Sequence, residues 1–308
     1  MSVLITGASG FVGAWLTAAL ADSGLVVVAQ MRGTPSRLFA QLGLTERVTI
    51  VQSDDIAATI AAHQPAVIYH LAGMSQIAEA MKNPISAFEI NARTSWLMLD
   101  ALRQMPKPAR CVIASTDSLY GETGGKAAVE SDPLRALGPY ETSKRIAELA
   151  ALSYAATYGL PITVARLGNV YGPGDANGAR IIPSVIRAIR TGGVPQLRGG
   201  GRAVRALLHV QDCIAGLRVL ADAADQPGIQ GEVFNLSGSP ALTTHEIARA
   251  GLDAFGRPDA EPLITEDAPG ETSVKLSSSA KLQARFGWQP VWTLDAGLRD
   301  IHKNWEAF

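Results

Sequence analysis

The sequence predicts an α/β protein: a doubly wound, mainly parallel sheet covered by helices on both faces, with a smaller C-terminal lobe. Three observations carry this. Short apolar runs alternate with longer helical stretches through residues 1–166. The runs 25–29 and 66–71 show no polar alternation, as strands buried on both faces should. The first strand runs straight into glycines at 7, 10 and 13, and an apolar helix follows.

In chain order, a strand over 2–6 leads into a helix over 11–22 that ends before Gly24. Strands over 25–29 and 48–51 follow, and Asp54-Asp55 opens a helix that runs through Ala62. Next come a strand over 66–71, a long helix over 84–105, a strand over 109–115, a helix over 139–158 and a strand over 162–166. Beyond residue 167 the texture changes. Gly172, Pro173 and Gly174 make a loop, and helices are expected over 183–190, 211–224, 243–255 and 294–304, with one strand over 234–236. The division is therefore 1–166 as a dinucleotide-binding domain and 167–308 as a mainly substrate-binding lobe, interleaved with the end of the sheet. No internal repeat, low-complexity linker or heptad pattern is present.

The 308 residues are 47% hydrophobic and 18% charged, so a core forms and global disorder is excluded. Twenty-seven basic against 28 acidic residues leave a net charge of -1, and with it no electrostatic case for nucleic acid or an anionic membrane. The start lacks a basic region and is broken by Gly7, Ser9 and Gly10, unlike a signal peptide. No run reaches the roughly 20 apolar residues that span a bilayer. A cytoplasmic location is the expectation. The two cysteines, Cys111 and Cys213, have no metal spacing, and Cys111 sits in an apolar run as a buried thiol would. Nothing suggests zinc: His70 and His209 lie in apolar contexts, and His63, His245 and His302 fall in helical or linker stretches.

The glycine turn has a physical reading. Gly7 permits a tight turn, Gly10 lets backbone approach a pyrophosphate, and Gly13 lets the helix lie close to the strand, so that a diphosphate rests on unpaired helix N–H groups. Far downstream, Tyr140 and Lys144 stand one helical turn apart. A neighbouring ammonium favours the phenolate, which lets a tyrosine deliver or remove a hydroxyl proton. Thr116 is placed to hydrogen-bond the same substrate oxygen, with Asp117 beside it. Ser75 and Gln76 follow the fourth strand and face the expected substrate. At the end of the second strand, Gln30-Met31-Arg32 offers no acid for a ribose, and Arg32 suits a 2′-phosphate, which leans the cofactor to NADP, with NAD as the alternative. Arg37 is nearby. Asp55 has a second reading as a helix cap.

Taken in order and spacing, several segments resemble the extended short-chain dehydrogenase/reductases, specifically the nucleotide-sugar epimerase/dehydratase group. They are Thr6-Gly7-Ala8-Ser9-Gly10-Phe11-Val12-Gly13, His70-Leu71-Ala72-Gly73, Asn91, Ser115-Thr116-Asp117-Ser118-Leu119-Tyr120-Gly121, Pro139-Tyr140 with Lys144, Arg166 through Gly174, and Arg205 with His209-Val210. The resemblance covers nearly the whole chain. It implies a Rossmann-like fold and hydride exchange between a nicotinamide and a sugar carbon, commonly C4. It implies that Thr116, Tyr140 and Lys144 move the proton. Thr6, Gly7, Gly10, Phe11, Val12, Gly13, Asp54, Leu71, Ala72, Gly73 and Asn91 would line the dinucleotide, as would Tyr140 and Lys144, the lysine at the cofactor ribose, with Arg32 and Asp55 added from the reading above. Asn169 and Arg205 would contact the nucleotide-diphosphate sugar. It also implies a homodimer through the helices over 84–105 and 139–158.

The subgroup stays open at this point. Thr116-Asp117 resembles sugar 4,6-dehydratases, in which the acid assists loss of the C6 hydroxyl. Those enzymes carry a base at the next position, glutamate or, in the CDP-glucose type, lysine; here Ser118 stands there, and a hydroxyl is an ineffective base at neutral pH. The tail from Gly270-Glu271 through Lys281, Phe286 to Pro290, and Ala203-Val204-Arg205 also resemble CDP-glucose 4,6-dehydratases, whereas the compact layout is similar to GDP-4-keto-6-deoxymannose reductases. Reduction of the C4 ketone of an NDP-4-keto-6-deoxyhexose, with Tyr140 as proton donor, is placed first. A 4,6-dehydratase or epimerase is the alternative, and a non-catalytic dinucleotide sensor or scaffold is the third reading.

Overall fold

The computed structural model describes residues 1–238, 240–265 and 273–304. Its strands are β1 (Ser2–Thr6), β2 (Val26–Met31), β3 (Thr49–Gln52), β4 (Val67–His70), β5 (Arg110–Thr116), β6 (Ile162–Leu167), β7 (Asn169–Tyr171), β8 (Gln196–Leu197), β9 (Val204–His209), β10 (Glu232–Leu236), β11 (Ala241–Thr243), β12 (Leu263–Ile264) and β13 (Val274–Lys275). Its helices are α1 (Phe11–Asp22), α2 (Arg37–Gln41), α3 (Ile56–His63), α4 (Ile77–Lys82), α5 (Pro84–Ala87), α6 (Thr94–Arg103), α7 (Pro139–Tyr158), α8 (Ile181–Arg190), α9 (Val210–Ala223), α10 (Thr244–Ala254), α11 (Ala280–Phe286) and α12 (Leu294–Lys303).

Seven strands pair in the order β10-β6-β5-β4-β1-β2-β3, and every ladder is parallel. The order reverses between β1 and β4, which opens a crevice at the carboxyl ends of those strands. Alternation explains why both faces are covered. Val3, Ile5, Val27, Ala29 and Val112 pack with Leu16 and Leu20 of α1 and Leu217 and Leu220 of α9. Their odd-even neighbours Leu4, Val28, Ile68, Cys111 and Ile113 pack with Ile60 of α3, Met98, Leu99 and Leu102 of α6 and Ala151 and Ala155 of α7. The doubly wound sheet predicted from the pattern is thus present. Strand β10, which follows β7–β9 in the chain, pairs in parallel with β6 at the edge of this sheet.

Several stretches differ from the sequence reading. The region 84–105 is not one α-helix. It holds α5, then a π-helical stretch over Phe88–Arg93, then α6. Thr94 and Ser95 turn their hydroxyls back onto the carbonyls of Ile90 and Asn91, and the buried Asn91 side chain reaches out of the helix to neighbouring segments. Second, α2, α4 and α11 were not anticipated. Ser36 caps α2 by accepting from Phe39 N–H at 3.2 Å, so Arg37 is a first-turn helix residue. Third, the short segments after 167 form a second sheet, with β9 central to β11, β13 and β7. The two cysteines are free and buried, and burial pushes both thiols up.

Candidate functional site

The β1–α1 turn is built by two glycines. Gly7 has φ +70°, and a Cβ there would lie 2.7 Å from Ala72 N; a Cβ on Gly13 would lie 2.2 Å from Gly7 O. The helix therefore starts against the strand end, with Gly10 as an N-cap that brings no side chain. The first N–H groups of α1 have no intrahelical acceptor and no capping oxygen. An anionic diphosphate fits that end, and Phe11 and Val12 stand at its rim, partly buried.

A hydrogen-bonded chain holds the neighbouring strand end in place. Ser95 Oγ donates to Asn91 O at 2.7 Å, so it accepts from His70 Nε2 at 3.0 Å. His70 Nδ1 is then the acceptor for the Thr6 hydroxyl at 2.9 Å, and Thr6 Oγ1 in turn accepts from Ala72 N at 3.1 Å. Every proton direction follows from the first. His70 is buried and neutral: burial and then the Lys144 charge push it down to about 3. Unfolded, it titrates near 6.5. Between those values the unfolded chain holds the extra proton, so stability falls as pH drops from 6.5 toward 3. His70→Asn should therefore flatten the acid limb of the urea midpoint against pH. It should not abolish it, because burial also pushes His209 down to about 4. An unchanged slope would remove His70 as a source.

Leu71, Ala72 and Gly73 continue from β4 and face the glycine turn across the crevice. Asn91 Oδ1 accepts from Met74 N at 2.7 Å while its Nδ2 donates to Met74 O and to Ser143 Oγ at 2.9 Å, so the amide fastens the β4 loop to α7. A Cβ on Gly73 would stand 2.9 Å from that Oδ1 and 3.0 Å from Lys144 Nζ. Ser75 and Gln76 lie exposed just ahead of α4. On the β2–β3 side, Arg32 and Asp54 are exposed, and Asp55 is the N-cap of α3, accepting from Ala58 N–H at 2.9 Å.

Thr116 ends β5, and α7 delivers Tyr140 and Lys144 to it. The Thr116 hydroxyl lies near enough to the Tyr140 phenol to draw the phenol's pKa down. Lys144 donates to Ala114 O at 2.9 Å, and burial pushes its ammonium down to about 8. The expected lowering of the phenol by this ammonium does not hold in this geometry. Burial pushes Tyr140 up to about 12; the Thr116 hydroxyl draws it back in part, and Asp117 and Glu141 add to the rise. The lysine reaches past the ring to the strand backbone.

The next residue, Asp117, is buried and opens a short 3₁₀ turn over Asp117–Tyr120. Facing it is a side chain that sequence reasoning missed. Lys275 Nζ of β13 lies 3.4 Å from Asp117 Oδ1, 3.0 Å from Ser118 Oγ and 3.5 Å from Asn169 Oδ1. Ser277, two residues on and so on the same side of the extended chain, donates to Asp117 Oδ2 at 3.4 Å. Asp117 Oδ1 and Asn169 Nδ2 are buried without a hydrogen-bond partner. Arg205 of β9 is in register with Lys275 and donates to Val204 O and Ser273 O. The Gly270-Glu271 part of the tail lies outside the described residues. Among the described residues no cluster suits a metal ion, and no helix is long and apolar enough to cross a membrane.

Two dTDP-glucose 4,6-dehydratases are similar to this chain over nearly its full length. That of Streptomyces griseus is 29% identical, covering 98% of this chain and 95% of the relative; that of Streptomyces antibioticus is 30% identical, covering 99% and 95%. DesIV, a dTDP-glucose 4,6-dehydratase of Streptomyces venezuelae solved with NAD, superposes with a TM-score of 0.87 at 26% identity, over 99% of this chain and 97% of that one. Residues 3–237, which carry the glycine turn, Thr116, Tyr140 and Lys144, match the profile of the NAD dependent epimerase/dehydratase family, and to that family of nucleotide-sugar enzymes the chain belongs.

Proposed function

We propose that this enzyme is an NAD-dependent nucleotide-sugar 4,6-dehydratase. The observation that carries the reading is the buried Asp117 carboxylate beside Thr116. One of its oxygens is unpartnered in hydrogen bonding and faces an ammonium. Exchange of configuration at C4, or simple reduction there, needs only the Thr116, Tyr140 and Lys144 group. An acid one residue further along serves loss of the C6 hydroxyl. The dehydratase relatives point the same way, and this displaces the C4-ketone reduction that the sequence reading placed first. Epimerisation is the second reading, favoured by the intact Thr116–Tyr140 pair.

The dinucleotide, when bound, takes up and returns a hydride at the sugar. The chain's own residues do the rest. Gly7, Gly10 and Gly13 leave room for the diphosphate at the start of α1. Lys144, close to Gly73, is placed to hold the nicotinamide ribose. Thr116 and Tyr140 meet at the C4 oxygen and move its proton. Asp117 protonates the departing C6 oxygen. NAD takes the place of the NADP first inferred from Arg32, because DesIV is solved with NAD. The exposed Arg32 keeps a 2′-phosphate contact as the contrary expectation.

A homodimer is part of this proposal. Ile85 on α5, Trp96 and Leu97 on α6 and Leu149 on α7 are exposed apolar side chains on the helices expected to pair. The test uses one preparation. Nucleotide released on denaturation is identified by mass, sedimentation gives the oligomeric state, and dTDP-, CDP- and UDP-glucose are each incubated with the protein. Retained NAD and a product lighter by one water are expected, from a dimer. An empty protein that prefers NADPH and leaves all three sugars unchanged would return the reading to a ketone reductase. A monomer would discard the paired helices.

A further inference from the structure

We infer that Lys275 is the catalytic base that takes the C5 proton in the dehydration, standing in for the side chain that Ser118 lacks. The inference rests on the dehydratase reading above.

The placement is unusual in origin but tight in geometry. Lys275 comes from a strand 157 residues downstream of the serine its Nζ touches. Three separate anchors fix that strand. β13 pairs in parallel with β9, Val274 against Val204 and Lys275 against Arg205. Glu122, just past the 3₁₀ turn, accepts from Ser273 N at 2.7 Å and from Val274 N at 2.9 Å. Burial works to raise the Glu122 carboxyl, but the N–H groups of Val274, Gly124 and Ser273 and the Arg205 charge hold it below its usual range. Thr123 closes the clamp, its N–H donating to Val274 O at 3.0 Å and its Oγ1 accepting from Leu276 N at 3.3 Å. The turn that carries Asp117 and the strand that carries Lys275 are thus one rigid unit, as proton transfer between fixed groups requires.

Position along the substrate follows. Thr116 and Tyr140 mark the C4 oxygen. Asp117, assigned above to the C6 oxygen, and Ser118 follow Thr116 in the 3₁₀ turn, and a base for C5, the carbon between C4 and C6, must stand beside them. Lys275 Nζ shares Asp117 Oδ1, Ser118 Oγ and Asn169 Oδ1 as neighbours, so it sits on this side of the site.

The step balances. Once C4 is a ketone, the C5 hydrogen is acidic. The step requires that the one proton of the Lys275–Asp117 pair stand on Asp117 when elimination begins, and the proton released from the C4 hydroxyl replaces it over the cycle. The C5–H bond breaks and its proton goes to Lys275 Nζ. The freed electron pair forms the C5=C6 double bond. The C6–O bond breaks, and the oxygen takes the Asp117 proton and leaves as water. Lys275 is left as an ammonium and returns a proton to C5 when that bond is saturated again.

The test compares the wild-type holoenzyme with Lys275→Met and Lys275→Met/Ser118→Glu, using whichever of dTDP-, CDP- and UDP-glucose the wild type dehydrates. Cofactor reduction on mixing reads C4 oxidation. Loss of water and solvent deuterium at C5 read the later step. Lys275→Met should keep cofactor reduction but lose about 10²–10⁴-fold in elimination and in C5 deuterium, and glutamate at 118 should restore part of both. Wild-type elimination by Lys275→Met overturns the assignment. So does a rise in KM at constant kcat, which would make Lys275 a phosphate contact, or loss of C4 oxidation together with elimination. A wild-type protein that oxidises C4 and never loses water from any of the three sugars overturns the dehydratase reading itself, and this inference with it.

Discussion

Tyr140→Phe should turn over its nucleotide sugar about 10²–10⁴-fold more slowly than wild type, with dinucleotide affinity unchanged. The phenylalanine keeps the ring, which packs with Ala80, Ala87 and Met74, so the fold has no reason to shift. Only the phenol oxygen, whose pKa the Thr116 hydroxyl draws down, is removed. Burial holds that phenol protonated, at about 12, so at neutral pH it is a donor that becomes an acceptor only as substrate and Thr116 share its proton. Lys144, pushed down to about 8 by burial, carries its charge on the strand side of the ring and is the group whose titration should shape the alkaline limb of activity. Single-turnover cofactor reduction and equilibrium titration separate the two quantities. Wild-type turnover by the variant would end the role assigned to Tyr140.

Glu148→Ala should cost about 3–5 kcal/mol, a large part of the roughly 5–15 kcal/mol that holds a typical domain folded. Glu148 and Arg166 are 3% and 4% exposed and form a two-pronged ion pair, Oε1 to Nη2 and Oε2 to Nε. Ser115 Oγ donates to Glu148 Oε2 at 2.9 Å, and Arg166 Nη1 donates to the Tyr120 hydroxyl at 2.7 Å. Removing the carboxylate leaves the guanidinium buried without its counter-charge. Apolar residues at both positions should recover much of the loss, since it is the orphaned charge that is costly. Urea midpoints of the single and double variants measure this; a single-variant loss under about 1 kcal/mol would mean that water or another acceptor reaches Arg166. Ser115 precedes Thr116 on β5, so the single variant should also blunt catalysis by loosening the strand end.

What was legible in the sequence is what local pattern encodes. The strands of the large sheet and the α7 helix were read within a residue or two, because apolar runs, a proline at the first helical turn and Gly159 at the end are all local signals. The glycine turn was legible because the positive φ of Gly7 and the approach of Gly13 to Gly7 O are local demands; the closeness of Gly7 to Ala72 was not. The break in 84–105 was not, because its cause is Asn91 reaching to Met74 and Ser143, partners that only the fold brings close. For the same reason Asn91 could be named but its role as a fastener could not. Ser118 looked like a missing base when position alone was considered; the amine beside it comes from β13, a strand of two residues that no periodicity reveals. The Glu148–Arg166 pair was hidden in the same way, with one partner in a helix that reads as ordinary and the other in a strand.

The clamp between Glu122 and β13 also bears on how the molecule is made. The turn at 117–120 is synthesised in the first half of the chain, and Ser273 to Lys275 in the last eighth. Joining them closes a loop of some 150 residues, and the entropy of that closure is recovered only when the strand docks. A nascent chain can therefore complete its dinucleotide crevice while the ribosome still holds the strand that carries Lys275. Until that strand arrives, the carboxylate of Asp117 lacks the Lys275 ammonium opposite it, and the glycine-turn crevice stands without that wall of the site.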